Sequence, residues 1–337
     1  MKAGIIGYGM AGRYFHGPTL LASGFHVTAI CARSLDKKAA VHQDFPRAVI
    51  VNSIDELVAE DLDLIVVASP NEFHSQHALA AINSGINTVV DKPMGRDYYE
   101  TLGLYEAAEL NGVLLTVSFN RIWDSDSLTI KKVIQEGALG NIFRLESRFE
   151  RFRPERNSGS WRESTSIEAG GGVLLDLQSH LLATAIDFFG DADLVFSSVR
   201  SIRGGSDDDV LLVLKHHSGV DSYLSSSAIS GSPGPKIRLN GDKATLVITE
   251  LDKQEELLRK GFRGSPGEWL DSDEIRSSAK IHKGTDSFSY KSEPGFYPAF
   301  YNAVRLAIEY GNDLPVSREL SLSVARIIDQ ARQMSIR

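Results

Sequence analysis

The chain opens with a short apolar run, Lys2 to Ile6, which enters Gly7-Tyr8-Gly9-Met10-Ala11-Gly12 and continues as a helix-forming stretch to about Ser23. No other feature narrows the fold as sharply. Glycines spaced GxGxxG between a strand and a helix meet three separate demands. Gly7 permits a tight turn, Gly9 lets the backbone approach a pyrophosphate, and Gly12 lets the helix pack on the strand. The helix N-terminus, at Met10 and Ala11, would offer free N–H groups to phosphates. The motif predicts a dinucleotide-binding unit.

The stretches that follow agree. His26 to Ala32, Ala48 to Val51, Leu62 to Ala68, Asn87 to Val90 and Val113 to Phe119 read as strands separated by helical segments. Leu62 to Ala68 is apolar almost throughout, the pattern of a strand buried on both faces. Such alternation predicts a Rossmann-type, doubly wound parallel sheet over residues 1–120. Beyond Asn120 the pattern becomes antiparallel. Val210 to Lys215 turns through His216 to Gly219 and returns as Asp221 to Ser226, and Asn240-Gly241 marks a second hairpin. At 337 residues two domains are the default. Residues 121–337 are expected to form a second domain of mostly antiparallel strands. Lys253 to Gly295 is expected to be an irregular excursion, and two helices, about 299–310 and 319–334, close the chain.

Composition removes whole classes of function. A net charge of −8 argues against nucleic-acid or membrane-surface partners. One cysteine, Cys31, allows no internal disulfide and suits a reducing compartment. No apolar stretch approaches the roughly eighteen residues that span a bilayer, and Met1-Lys2-Ala3 leads straight into a strand. A cytoplasmic location is expected.

Four places carry candidate chemistry. Thr88-Val89-Val90 runs into Asp91-Lys92-Pro93, where proline stops the strand and leaves Lys92 at the carboxyl edge of the sheet, the ligand edge of such folds. A solvated Asp-Lys turn is the competing reading of that pair. Ser69-Pro70-Asn71 and His74 follow another strand and are expected beside the cofactor, as is Asn120. At the end of the second strand the carboxylate that would hold a ribose 2′-hydroxyl is missing. Arg33-Ser34 stands there instead, which favours NADP, with NAD possible; Ser34 as a helix N-cap beside a solvated Arg33 is the alternative. Asp176 and His180, four apart after Gly170-Gly171-Gly172, share a helix face, and a carboxylate one turn from a histidine can orient a general base. A surface ion pair is the alternative. Arg121, Trp123, Trp161 and Arg162 are candidates for substrate contact. His74 and His77 have no evident third ligand, so no metal is expected.

The glycine loop, Asp91-Lys92-Pro93 and the Asp176/His180 helix together resemble the Gfo/Idh/MocA oxidoreductase family. Phe15-His16-Gly17-Pro18 and Asn120-Arg121-Ile122-Trp123-Asp124 resemble the branch that includes NADP-dependent scyllo-inositol 2-dehydrogenases. The resemblance implies catalytic roles for Lys92, Asp176 and His180, a polyol or sugar substrate, and over residues 121–337 a substrate-binding and oligomerisation domain whose open, mostly antiparallel sheet builds a homodimer or larger homo-oligomer. Asp91 replaces the glutamate usual in that motif, and Gln178 stands where the family string has glycine. Under this reading His180 takes the hydroxyl proton, Lys92 hydrogen-bonds the oxygen and Asp176 orients His180 or a substrate hydroxyl. A non-catalytic dinucleotide-binding regulator and an NAD-dependent glycoside hydrolase are the rival functions. A pyranose or a biliverdin-like tetrapyrrole is a rival substrate.

Overall fold

The computed structural model describes residues 1–156 and 170–335. They form two compact units, and the chain interleaves them. The first takes Met1–Asn120, Gln254–Leu270 and Phe296–Ser321; the second takes the described parts of Arg121–Lys253, Asp271–Gly295 and Leu322–Arg337. A single cut after residue 120 therefore separates only part of the first unit from the second.

Among the described residues, six strands make the first sheet: β1 (Lys2–Ile6), β2 (His26–Cys31), β3 (Val49–Val51), β4 (Leu64–Val67), β5 (Asn87–Asp91) and β6 (Leu115–Ser118). Their order is β3-β2-β1-β4-β5-β6 and every pair is parallel. This is the doubly wound Rossmann arrangement, in which strand order reverses between β1 and β4. Every residue of β4 is buried, as its unbroken apolar run predicts. The connecting helices are α1 (Gly17–Ala22), α2 (Leu35–Asp44), α3 (Ile54–Val58), α4 (His74–Asn83) and α5 (Tyr98–Asn111). Asp97 caps α5 by accepting the Glu100 N–H at 2.8 Å, and Gly112 ends it in the left-handed conformation.

The second unit begins with α6 (Ser125–Gln135), and its described residues build an eight-stranded sheet. Its strands are β7 (Ile142–Glu150), β8 (Ala192–Arg200), β9 (Asp209–His216), β10 (Asp221–Ser227), β11 (Ile237–Gly241), β12 (Thr245–Ile248), β13 (Ala279–Lys283) and β14 (Asp286–Tyr290). Among the described residues only the β7–β10 pair is parallel. Leu145, Leu212, Leu214, Leu224, Leu239 and Leu246 on one face are fully buried. Burying one such side chain stabilises by about 1.5–3 kcal/mol. α7 (Ser179–Phe189) packs on β7 and β10. The opposite face stays open, with Phe196, Val213 and Tyr223 paired across β8, β9 and β10.

The 253–295 stretch is not an irregular excursion. It holds α8 (Gln254–Arg259) and α9 (Pro266–Asp271), then β13 and β14 at the sheet edge. His216 is likewise not a turn residue: it ends β9, buried, with its ring nitrogens 2.8 Å from the Gly190 carbonyl and the Ser222 hydroxyl. No described helix is long and apolar enough to cross a membrane.

Candidate active site

In the first unit the strand ends bring Gly7, Ser69, Asp91 and Asn120 to one edge of the sheet, because Ile6 pairs with Val67, Val67 with Val90, and Asp91 with Ser118. Gly7 has φ +95°, and a Cβ there would lie 2.5 Å from the Ala68 carbonyl oxygen. A Cβ on Gly12 would lie 2.1 Å from the Gly7 carbonyl. Packing alone thus demands glycine at both positions. Gly9 differs: a Cβ there would meet nothing within 4 Å. The chain then enters wide, π-helical turns at Ala11–His16, whose N-cap residue, Met10, makes no side-chain capping bond. Tyr8 and Arg13 anchor this loop to the end of α2, the Tyr8 hydroxyl donating to Asp44 at 2.9 Å and Arg13 Nε at 2.7 Å.

Arg33 is exposed and forms no ion pair among the described residues. Ser34 occupies the N-cap position of α2, yet its side chain makes no capping hydrogen bond. Serine there does not act as the cap that its residue type suggests.

His74 was expected beside the cofactor, but its ring is 1% exposed, with Nδ1 2.7 Å from the Pro93 carbonyl and Nε2 2.8 Å from that of Ser69. It ties the end of β4 to the end of β5. The Lys92–Pro93 bond is cis. Lys92 is half-buried, and its N–H donates to the Asp91 carboxylate at 2.8 Å. Burial pushes the Asp91 carboxyl up, but His16, His74 and Lys92 together outweigh it and hold it below the usual carboxylate range.

In the second unit Asp176 and His180 lie on one helical stretch that opens with wide turns at Leu174–Gln178 and continues as α7. His180 is buried, whereas Asp176 is half-exposed and lines a cavity with Arg151, Arg153, Arg203 and Asp207. Gln178 is fully buried and its Nε2 donates to the Leu224 carbonyl at 3.0 Å, pinning the helix to β10. Asp207 holds the start of the same helix: its Oδ1 accepts the Leu174 N–H at 2.7 Å and its carbonyl accepts that of Val173 at 3.0 Å. Burial pushes its carboxyl up to about 6. Sequence reasoning missed Asp207, although the acidic run Asp207-Asp208-Asp209 after two glycines was a signal.

Arg121 is anchored within the second unit. Its guanidinium is buried, 3.1 Å from Asp124 and 4.7 Å from the centre of the Phe149 ring, so it holds the start of the second unit together. Lys236 joins that cluster, 3.2 Å from Asp124 and in contact with Asp126. Trp123 is half-exposed. Trp161 and Arg162 lie outside the described residues.

A model described as an oxidoreductase family with an NAD-binding Rossmann fold matches residues 1–119. A second, the GFO/IDH/MocA C-terminal domain, matches residues 127–247. The chain belongs to the GFO/IDH/MocA oxidoreductase family. Within that family it is 31% identical to the scyllo-inositol 2-dehydrogenase (NADP(+)) IolW of Bacillus subtilis, covering 99% of this chain and 94% of that one. It is 26% identical to the scyllo-inositol 2-dehydrogenase (NADP(+)) IolU of the same organism, over 68% of this chain and 70% of that one. The solved structure of yvaA from Bacillus subtilis superposes with a TM-score of 0.88 at 31% identity, covering 100% of this chain and 98% of that one.

The GFO/IDH/MocA cofactor fits what is seen at the loop. Gly9 is needed neither by a left-handed backbone nor by any neighbouring atom, so a close-lying pyrophosphate gives it a reason that packing does not.

Proposed function

We propose that the chain is a dehydrogenase acting on a secondary alcohol of a cyclitol or sugar, with NADP as its preferred cofactor. Lys92 carries the reading, an amine at the carboxyl edge of a Rossmann sheet whose backbone N–H is held by Asp91. The similarity to two NADP-dependent scyllo-inositol 2-dehydrogenases supports the substrate class. For NADP, the support is an exposed Arg33 and an uncapped Ser34 where a carboxylate would otherwise meet the ribose.

A nicotinamide cofactor held at the Gly7–Gly12 loop would supply the hydride acceptor for the carbinol carbon. His180 takes the hydroxyl proton. Lys92 hydrogen-bonds the same oxygen and stabilises its developing charge. Asp176 orients His180 or a neighbouring substrate hydroxyl. The open face of the eight-stranded sheet, with Phe196 and Tyr223 exposed, suits a contact with a second copy.

Reduced-nicotinamide absorbance across a panel of cyclitols and sugars, with NADP and with NAD, tests this. Turnover with scyllo-inositol or a related cyclitol is expected, faster with NADP. Lys92→Ala should lower kcat by about a hundred- to ten-thousand-fold at unchanged cofactor affinity. Wild-type turnover in that variant rejects the assignment.

A further inference from the structure

Three stretches far apart in the chain converge on Asp91 within the first unit. His16 comes from the turns after the glycine loop, Asp91 ends β5, and Tyr301 lies on α10 (Pro298–Tyr310). His16 Nδ1 is 2.7 Å from the Tyr301 hydroxyl, across 285 residues of sequence. Its Nε2 is 3.7 Å from Asp91 Oδ1. Both His16 and Tyr301 are buried, and among the described residues Nε2 has no partner within hydrogen-bonding distance, Asp91 lying just beyond it. A buried polar atom without a partner costs about 1–3 kcal/mol, so a ring held in this orientation needs a reason.

The proton bookkeeping supplies one. Nε2 faces an ionised carboxylate, which can only accept, so Nε2 carries the ring hydrogen. In the neutral ring Nδ1 is then the acceptor and the Tyr301 O–H donates to it. Burial pushes the Tyr301 phenol far above its usual range, so that hydrogen stays in place. The chain runs one way, from Tyr301 O–H to His16 and from His16 Nε2–H toward Asp91. The charged and titratable groups facing Asp91 are His16, Tyr301, His74 of α4 and Lys92. With its single methylene, aspartate can fold its carboxylate back onto the N–H of the next residue, as seen at 2.8 Å.

We propose that His16 and Tyr301 are positioning residues for Lys92, acting through Asp91. They hold an ionised carboxylate against the backbone of the residue that carries the catalytic amine. The inference rests on the reading of Lys92 as catalytic.

Tyr301→Phe and His16→Asn, singly and together, are compared with wild type and with Lys92→Ala, using NADP and the cyclitol that wild type turns over fastest. Each single variant should lose about a hundredfold in kcat, the scale of a small misplacement of a reacting group, at near-wild-type KM and cofactor affinity. In His16→Asn the acid limb of the kcat–pH profile should also move to higher pH, because Asp91 loses the partner that most lowers its carboxyl. The double variant should fall no further than the weaker single, since the groups act as one chain. In wild-type protein labelled with 15N-histidine, His16 should show the Nε2–H tautomer. Wild-type kcat and pH profile in both singles, beside an inactive Lys92→Ala, overturn the inference and leave the role of Lys92 standing. Multiplying losses or an Nδ1–H tautomer overturn it as well. A fully active Lys92→Ala removes the underlying reading instead.

Discussion

His74 closes the gap between two strand ends by reaching Pro93: its Nδ1 is 2.7 Å from the Pro93 carbonyl oxygen, while Nε2 is 2.8 Å from that of Ser69. Burial pushes the imidazole down, outweighing Asp91 and both carbonyls, so the ring is neutral at pH 7 and donates to one carbonyl at a time. A folded-state pKa below 6.5 means the stability it contributes is complete above that pH and is lost as pH falls through the lower value. His74→Ala should cost about 1–3 kcal/mol at pH 7.5 by leaving buried carbonyls unpaired. Thermal melting from pH 8 to 5 checks both statements, and His74→Gln should flatten this residue's part of the acid slope.

The three loop glycines should separate into two behaviours. Gly7→Ala and Gly12→Ala push a Cβ into a backbone carbonyl and should unfold or strongly destabilise the first unit. Gly9→Ala meets no protein atom, so it should melt like wild type yet bind reduced NADP more weakly. Melting temperature and fluorescence titration, run side by side, distinguish them.

Arg33→Ala should raise the dissociation constant for NADP and leave that for NAD nearly unchanged. A charge-assisted hydrogen bond contributes about 1.5–3 kcal/mol, which is roughly a tenfold to hundredfold change. Equal weakening of both cofactors would show that Arg33 contacts the part they share.

Asp207 gives a pH dependence of the opposite sign to His74. Its carboxyl titrates at about 6 in the folded protein against an ordinary 3.8. The stabilisation is therefore complete below about pH 4 and is lost as pH rises through about 6, a total of about 3 kcal/mol. Asp207→Asn removes the ionisation, so its stability relative to wild type should rise between pH 4 and pH 7. Chemical denaturation at those two pH values measures the difference.

What could be read from the sequence was what is local in it. The strand, glycine loop and helix at the start lie within about twenty residues, and so does each hairpin around Asn240-Gly241 and His216-Gly219. The place of Lys92 just past a strand end was legible because a proline punctuates that strand. His16 and Tyr301 were not paired in advance, since their hydrogen bond spans 285 residues and no periodicity reports it. The helices in 254–271 escaped because six residues each are too few to show a 3.6-residue repeat. Gln178 looked like a departure in the sequence, and only β10 explains it, through the Leu224 carbonyl its side chain reaches. The protein partners of Arg121 and His74, Asp124 and the Pro93 carbonyl, were not legible, because burial rather than residue type selects them.

The chain passes between its two compact units five times, after Asn120, Lys253, Leu270, Gly295 and Ser321. On the ribosome this sets an order of events. Thr116 waits for the Val316 carbonyl that its hydroxyl reaches at 2.9 Å, and His16 waits for Tyr301. The dinucleotide-binding unit starts first and finishes nearly last, so a polypeptide stopped at residue 250 would already carry its glycine loop while lacking the helix that braces it.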